Sequence, residues 1–327
     1  MELPLQRSGL VDPATMARLY RSLRRIRRVE EEIARLYPTD RIKSPVHLSI
    51  GQEAVSVGLC EALRPDDVVF GTYRGHALYL AKGGDLRRMM AELYGKATGC
   101  ARGKGGSMHL IDVAHGVMGA SAVVGSTIPQ AVGYAYACKV RGQEALVASV
   151  FGDGAVEEGV FHESIQFAVL KNLPVLFVCE NNFYAIHTPL AERQPFDNIC
   201  ERARSYGLPA ARLEADDVLR VHERMAEAVH HIRRQRAGPQ FLECRTYRWR
   251  EHVGPGEDFD LGYRSREEAA SWMERDSCVR LGALLDEPAR ARIDAAIEAE
   301  IEDAVRFAEE SPFPGPEELH ADLFREA

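Results

Sequence analysis

At 327 residues the chain has room for one large or two modest domains and enough length to bury a full core. Its 46% apolar and 28% charged residues are those of an ordinary globular protein, and a net charge of −8, from 41 Lys plus Arg against 49 Asp plus Glu, argues against a general nucleic-acid surface. No apolar run approaches the roughly 18 residues of a membrane span, no signal-peptide core opens the sequence, and seven scattered cysteines without a C-x-x-C pair read as reduced thiols of a cytoplasmic protein.

The first predicted element is a helix over about 13–37, in which Leu19, Leu23, Ile26, Ile33 and Leu36 fall near helical spacing. Arg24, Arg25, Arg27 and Arg28 stand just ahead of Glu30–Glu32. That mixture reads as a solvated amphipathic face rather than a nucleic-acid arm or a transit peptide. A second helix starts near Gly51 (GQEAVSVGLCEAL) and stops at Pro65. VVFGTYRGH reads as a short strand and a loop, and DLRRMMAELYG as a helix closed by Gly95. Residues 98–125 are too rich in glycine for a regular element and too long for a mere connection, which predicts a functional loop. A helix over 126–141 follows.

ALVASVF (strand), GDGAVEE (turn), GVFHESIQFAVLKN (helix), LPVLFVCE (strand) and NNFYA (loop) then form a βαβ unit, hence a parallel sheet buried on both faces. ARLE, the helix DDVLRVHERMAEAVHHIRRQR and PQFLECRTYRW make a further round, and 265–310 is charged and helical. No repeat or low-complexity linker marks a boundary. The expectation is a single α/β domain over 1–327 with a parallel sheet and helical extensions at both ends.

In open parallel sheets ligands sit at the carboxyl ends of the strands, where both GDG and NN fall. The amides after Asp153 open a helix, and that end suits a phosphate. An aspartate there would repel the phosphate unless a cation lay between them. Asp153 and Asn182, 29 positions apart, each offer a hard oxygen, so Mg²⁺ with a diphosphate fits both strand ends. G-D-G alone is common at turns; its combination with N-N after the next strand is specific.

At this point the sequence resembles the α subunits of thiamine-diphosphate-dependent 2-oxo acid dehydrogenases of the pyruvate, branched-chain and acetoin types. The likeness runs from LYRSLRRIRRVEEE through GQEA, TYRGH, GCARGKGGSMH, GSTIPQAVG, GDGAVEEG, CENNFYAI and TYRWREH to GYRSREE, nearly the whole chain. It implies a thiamine-diphosphate-binding fold of the diphosphate-domain type. Asp153 and Asn182 would hold Mg²⁺, helped by the backbone carbonyl of Tyr184. Gly154 and Ala155 would bind the diphosphate through their amides, and Tyr73 and Arg74 would meet the phosphates. The backbone of Ala122 and Val124 would hold the aminopyrimidine ring. His252 matches the histidine of the family's mobile loop near the thiazolium, with Arg248 ahead of it as a second catalytic candidate.

The implied activity is oxidative decarboxylation of a 2-oxo acid with acyl transfer to a lipoyl group. Acetoin cleavage, a transketolase-like half and a non-catalytic scaffold are the alternatives, in that order. Animal pyruvate dehydrogenases carry a phosphorylated serine directly after the loop histidine; here Val253 stands there, so that switch is expected to be absent. The stretch EHVGPGEDFDLGYRS departs from the usual substrate-side loops. His76 and His109 are balanced between site and structural roles, His115 reads as a loop residue, His230–His231 as a solvated helix face, and no spacing supports zinc.

The cofactor also needs a carboxyl group from a second, pyrimidine-binding domain, and the chain is too short to hold both domains. Glu53 of GQEA is a tempting source, but the family draws that glutamate from a β subunit. The resemblance therefore implies half an active site, completed in an α₂β₂ heterotetramer and served by a lipoylated acyltransferase core.

Overall fold

The computed structural model describes residues 12–234 and 237–321. α1 (Pro13–Leu36) begins on Asp12, whose side chain accepts from the Thr15 amide, with proline at the first helical position. After it come α2 (Glu53–Ala62), β1 (Val68–Thr72), α3 (His76–Ala81) and α4 (Leu86–Leu93). β2 (Val117–Ser121), α5 (Thr127–Val140), β3 (Val147–Gly152), α6 (Gly159–Leu170) and β4 (Val175–Asn181) form the central part. A small hairpin, β5 (Tyr184–Ala185) and β6 (Thr188–Pro189), leads into α7 (Leu190–Arg193) and α8 (Ile199–Ser205). β7 (Ala210–Glu214), α9 (Val218–Arg234) and β8 (Gln240–Arg245) complete the sheet, and α10 (Arg266–Met273), α11 (Ser277–Gly282) and α12 (Glu287–Glu310) follow. The last two residues predicted for the α9 helix, 235–236, lie outside the described residues.

The main sheet has six parallel strands in the order β2-β1-β3-β4-β8-β7. Strand side chains alternate between two cores. Ala148, Val150, Leu176 and Val178 face α1, α2, α4, α9 and α12, while Val147, Phe151, Val175 and Phe177 face α5, α6 and α8. Each fully buried Val, Leu or Phe among them contributes about 1.5–3 kcal/mol, and the layering is that of a sheet covered by helices on both faces.

Residues 98–125 differ from expectation. β2 lies inside them, paired in parallel with β1 at the sheet edge. Gly119, Ala120 and Ser121 carry no apolar alternation: β2 is the edge strand of the sheet, flanked on its outer side by the Asp112–Val117 bridge and not by a strand, and its side chains are half exposed. The glycines before it are organised by a single carboxylate. Buried Glu92 accepts the amides of Ala101, Gly103, Gly105 and Gly106 at 2.8–3.0 Å, which is a structural role for that stretch. The basic run of α1 is likewise accounted for: Arg24, Arg25 and Arg28 pair with Asp294, Glu300 and Glu298 of α12.

Candidate functional site

The chain leaves β1 for β2 on one side and then for β3 on the other, so the order in which strands are added reverses between β1 and β3. A cavity of about 260 Å³ opens there, at the carboxyl ends of β1 to β4. Tyr73, Arg74, Val124, Asp153, Gly154, Ala155, Asn182 and Tyr184, eight of the predicted site residues, line it together. Ala122 is exposed next to the wall, where Val123 takes its place.

Gly152 ends β3, and Asp153–Glu157 make a 3₁₀ turn into α6. A Cβ at Gly154 would stand 3.1 Å from the Cβ of Ala185, so the hairpin passes close over the turn and a side chain there would have to push it back by a few tenths of an ångström. Asp153 is 1% exposed. Burial raises its pKa, opposed by the Arg193 guanidinium in contact with it and by its own and the Asn182 amides, which donate to the carboxylate.

The two asparagines at the end of β4 divide their work. Asn181 donates through Nδ2 to Glu243 (2.8 Å) and accepts the Phe183 amide (3.0 Å), which holds Phe183 at a φ of 70° and turns the chain sharply. Asn182 faces the cavity, donates to Gln52 Oε1 (3.0 Å) and accepts the Tyr184 amide (3.2 Å).

Across the cavity, Arg74 donates to the carbonyls of Leu48 (2.7 Å) and His252 (3.2 Å). Burial lowers its pKa to about 10, and among the described residues it forms no salt bridge. A buried guanidinium without a carboxylate partner favours an anion beside it. Among the described residues no group of three or more His, Cys, Asp or Glu side chains could hold a metal. A cation at Asp153 and Asn182 would therefore need ligands from the anion as well. The donor set thus fits a divalent cation carrying a diphosphate: oxygen ligands on one wall, an unpaired guanidinium on the other, and helix-opening amides between.

His252 packs edge-on against Tyr73, with ring centroids 5.7 Å apart. The sequence reading missed His47, which lies 4.6 Å from Tyr73 and 5.2 Å from His252 by ring centroids. Its only sequence signal is its place four residues before the GQEA motif. Burial, then Arg74, lowers both histidines to about 3, so both rings are neutral at ordinary pH. The Gly254 amide donates to Val46 O (2.8 Å) and the Trp249 amide to Ile50 O (3.0 Å), which fastens the His252 segment beside residues 46–50.

Arg248 and His252, the two residues expected to act in catalysis, both lie outside the residues that line the cavity. Only 1% exposed, Arg248 gives its donors to Arg250 O (2.6 Å), Asp258 (2.8 Å), Ile186 O (3.0 Å) and Tyr263 OH (2.6 Å). It therefore ties the β5–β6 hairpin to the His252 loop and does not line the cavity. Glu53 is buried in contact with Arg27, which also pairs with Asp276, and lies outside the cavity. His76 is fully buried between Glu30 (3.2 Å) and Ser107 (2.7 Å), which settles it as structural. His109 is exposed and bonds Ala120 O (3.2 Å). His115 pairs with Asp112, and His230 is exposed on α9.

A parallel sheet whose switch-point cavity sets a buried carboxylate against a buried, unpaired guanidinium is a cofactor-binding architecture. The chain belongs to the dehydrogenase E1 component family, whose model matches residues 21–317. It is 36% identical over 311 residues to the α subunit of acetoin:2,6-dichlorophenolindophenol oxidoreductase of Bacillus subtilis, covering 94% of this chain and 92% of that one. The subunit of the same name from Cupriavidus necator is 37% identical, with 96% and 95% covered. The pyruvate dehydrogenase E1 component α subunit of Zymomonas mobilis is 38% identical, with 95% and 89% covered. The resemblance drawn from the motifs holds at the level of the family.

Proposed function

We propose that this chain is the α subunit of a thiamine-diphosphate- and Mg²⁺-dependent 2-oxo acid dehydrogenase of the pyruvate dehydrogenase type, active with a β subunit and passing its acyl group to a lipoyl arm. The observation that carries this reading is the single cavity bounded by Asp153 and Asn182 on one side and the unpaired Arg74 on the other. Thiamine diphosphate, when bound, supplies the carbanion chemistry that cleaves a bond next to a carbonyl.

The chain's own residues bind and orient. Asp153, Asn182 and the Tyr184 carbonyl would hold the cation. The Gly154 and Ala155 amides, with Tyr73 and Arg74, would hold the diphosphate, and the backbone of Ala122 and Val124 the ring. His252 and His47, both neutral, can donate or accept a hydrogen bond beside Tyr73 without adding charge. Acetoin cleavage is the second reading, favoured by the two acetoin oxidoreductase α subunits among the relatives.

The test is dye reduction by the chain mixed with its β partner, thiamine diphosphate and Mg²⁺. Pyruvate, branched 2-oxo acids and acetoin are supplied in turn. Turnover with a 2-oxo acid supports the first reading, turnover with acetoin alone the second, and none with any of them rejects both.

A further inference from the structure

Asp153 does not stand alone in its wall of the cavity. Arg193, at the end of α7 and 9% exposed, touches one oxygen of Asp153 through Nη2 and Glu157 through Nη1, while Nε donates to Thr188 O at 3.2 Å. Glu157 in turn accepts from Gln194 Nε2 at 2.9 Å. Asp153 and Glu157 line the cavity and Arg193 does not, so the guanidinium reaches the carboxylate from behind. A carboxylate has two oxygens and about four lone-pair sites. Arg193 engages Oδ2, and the Asp153 and Asn182 amides also donate to the carboxylate, which still leaves lone pairs for a ligand from the cavity that Asp153 lines.

We propose that Arg193 is a positioning residue for the metal: its planar fork fixes the rotation of the Asp153 carboxylate and pins the β5–β6 hairpin, which carries Tyr184, against the turn that carries Asp153. The inference rests on the reading of this cavity as a metal–diphosphate site. An arginine that merely neutralised Asp153 would need only one anchor. This one is held by two carboxylates and a carbonyl, on two separate segments of chain. Hydrogen bonds from groups behind metal ligands commonly set affinity by about 10- to 100-fold. A lysine at 193 would keep the charge but lose the fork that reaches both carboxylates.

The experiment is Mn²⁺ binding, followed by electron paramagnetic resonance, to the full chain with its β subunit and thiamine diphosphate. Arg193→Met is expected to weaken Mn²⁺ at least about tenfold, and Arg193→Lys to recover part of that loss. The apparent KM for Mg²⁺ should rise accordingly while kcat at saturating metal stays near that of the unchanged protein, a split that general loss of structure would not give. Binding by Arg193→Met as tight as that of the parent, or tighter, overturns the inference and makes Arg193 a mere counter-charge to Asp153. Should Arg193→Met fail to fold, Arg193→Lys decides: undiminished Mn²⁺ affinity overturns the inference in the same way. Asp153→Asn separates the two levels. If it loses Mn²⁺ while Arg193→Met does not, only the role of Arg193 falls; if it binds Mn²⁺ as before, the metal reading of the cavity falls, and this inference with it.

Discussion

Gln52 Oε1 accepts a 3.0 Å hydrogen bond from Asn182 Nδ2, joining residues 130 positions apart. An asparagine amide can present either end to a ligand. Gln52 takes the nitrogen, and the Tyr184 amide donates to Oδ1 at 3.2 Å, so the oxygen is kept on the side where a hard cation can use it. The glutamine of GQEA is thereby tied to the asparagine of CENN, two motifs whose spacing in sequence gives no hint of contact.

Gln52→Leu should leave Asn182 Nδ2 buried without a partner, at a cost of about 1–3 kcal/mol, and free the amide to turn. Cofactor affinity measured by calorimetry with Mg²⁺ is expected to fall about tenfold, and Gln52→Glu, which keeps an acceptor, to bind more tightly than Gln52→Leu. Equal affinity in all three would remove Gln52 from the site.

The His252 loop is built on Asp258. That buried carboxylate takes Arg248 (2.8 Å) and Arg264 (2.7 Å) and touches Tyr263, and Arg264 also donates to Arg248 O at 2.6 Å. Asp258→Asn would leave two buried guanidiniums without their counter-charge, a change that costs about 3–5 kcal/mol when one partner of such a pair is removed. Limited proteolysis should then cut within 250–263 where the parent chain resists. His252→Ala provides the contrast: turnover should fall while the loop stays protected. Protection of the loop in both variants would place its stability elsewhere.

His47 and His252 give stability a pH dependence whose sign is fixed. His47 has its pKa lowered from 6.5 to about 3 by burial, then by Arg74, and its Nδ1 has no hydrogen-bond partner. Between those values the unfolded chain binds a proton that the folded chain refuses, so stability is lost as pH falls through the window. His47→Gln removes one such site. The difference in Tm between the parent and His47→Gln should shrink from pH 7 to pH 5 (to about 2 units below neutrality). A constant difference would show that His47 titrates normally.

What could be read from sequence follows burial. β3 and β4 are apolar runs covered on both faces, and the turns at their ends carry Gly152, Asp153, Asn181 and Asn182, residue types that a turn and a cation both require. β2 escaped because an edge strand of Gly119, Ala120 and Ser121 has neither alternation nor bulk. α3 escaped because it is a six-residue helix with five buried positions and no polar face to show a period. Gln52, His47 and Arg193 were invisible as site residues for a common reason. Each acts through a contact between distant segments, and no local pattern records that. Glu53 is the converse case: an acid in a strong motif, set aside at the sequence level because the family draws that glutamate from a β subunit, and its charge is spent on Arg27.

The last prediction concerns completeness. The activating carboxyl that the cofactor requires cannot come from Glu53, buried against Arg27 outside the cavity. The chain also leaves Val123 (67% exposed), Val124 (45%) and Tyr136 (41%) at the surface beside the cavity and along α5. A patch of this kind next to a site is what a partner subunit would cover. The isolated chain should therefore reduce no dye with any 2-oxo acid, and mixing with the β subunit should produce both activity and an α₂β₂ tetramer by sizing. Tyr136→Arg should weaken that assembly while leaving the Tm of the separate chain close to its parent value, since the ring is exposed before assembly. An unaltered tetramer would put the interface on another face. Activity from the purified chain alone would mean that the carboxyl is internal. Glu180 would then be the residue to change: it lines the cavity, and burial raises its pKa to about 7, so it can carry a proton near neutrality.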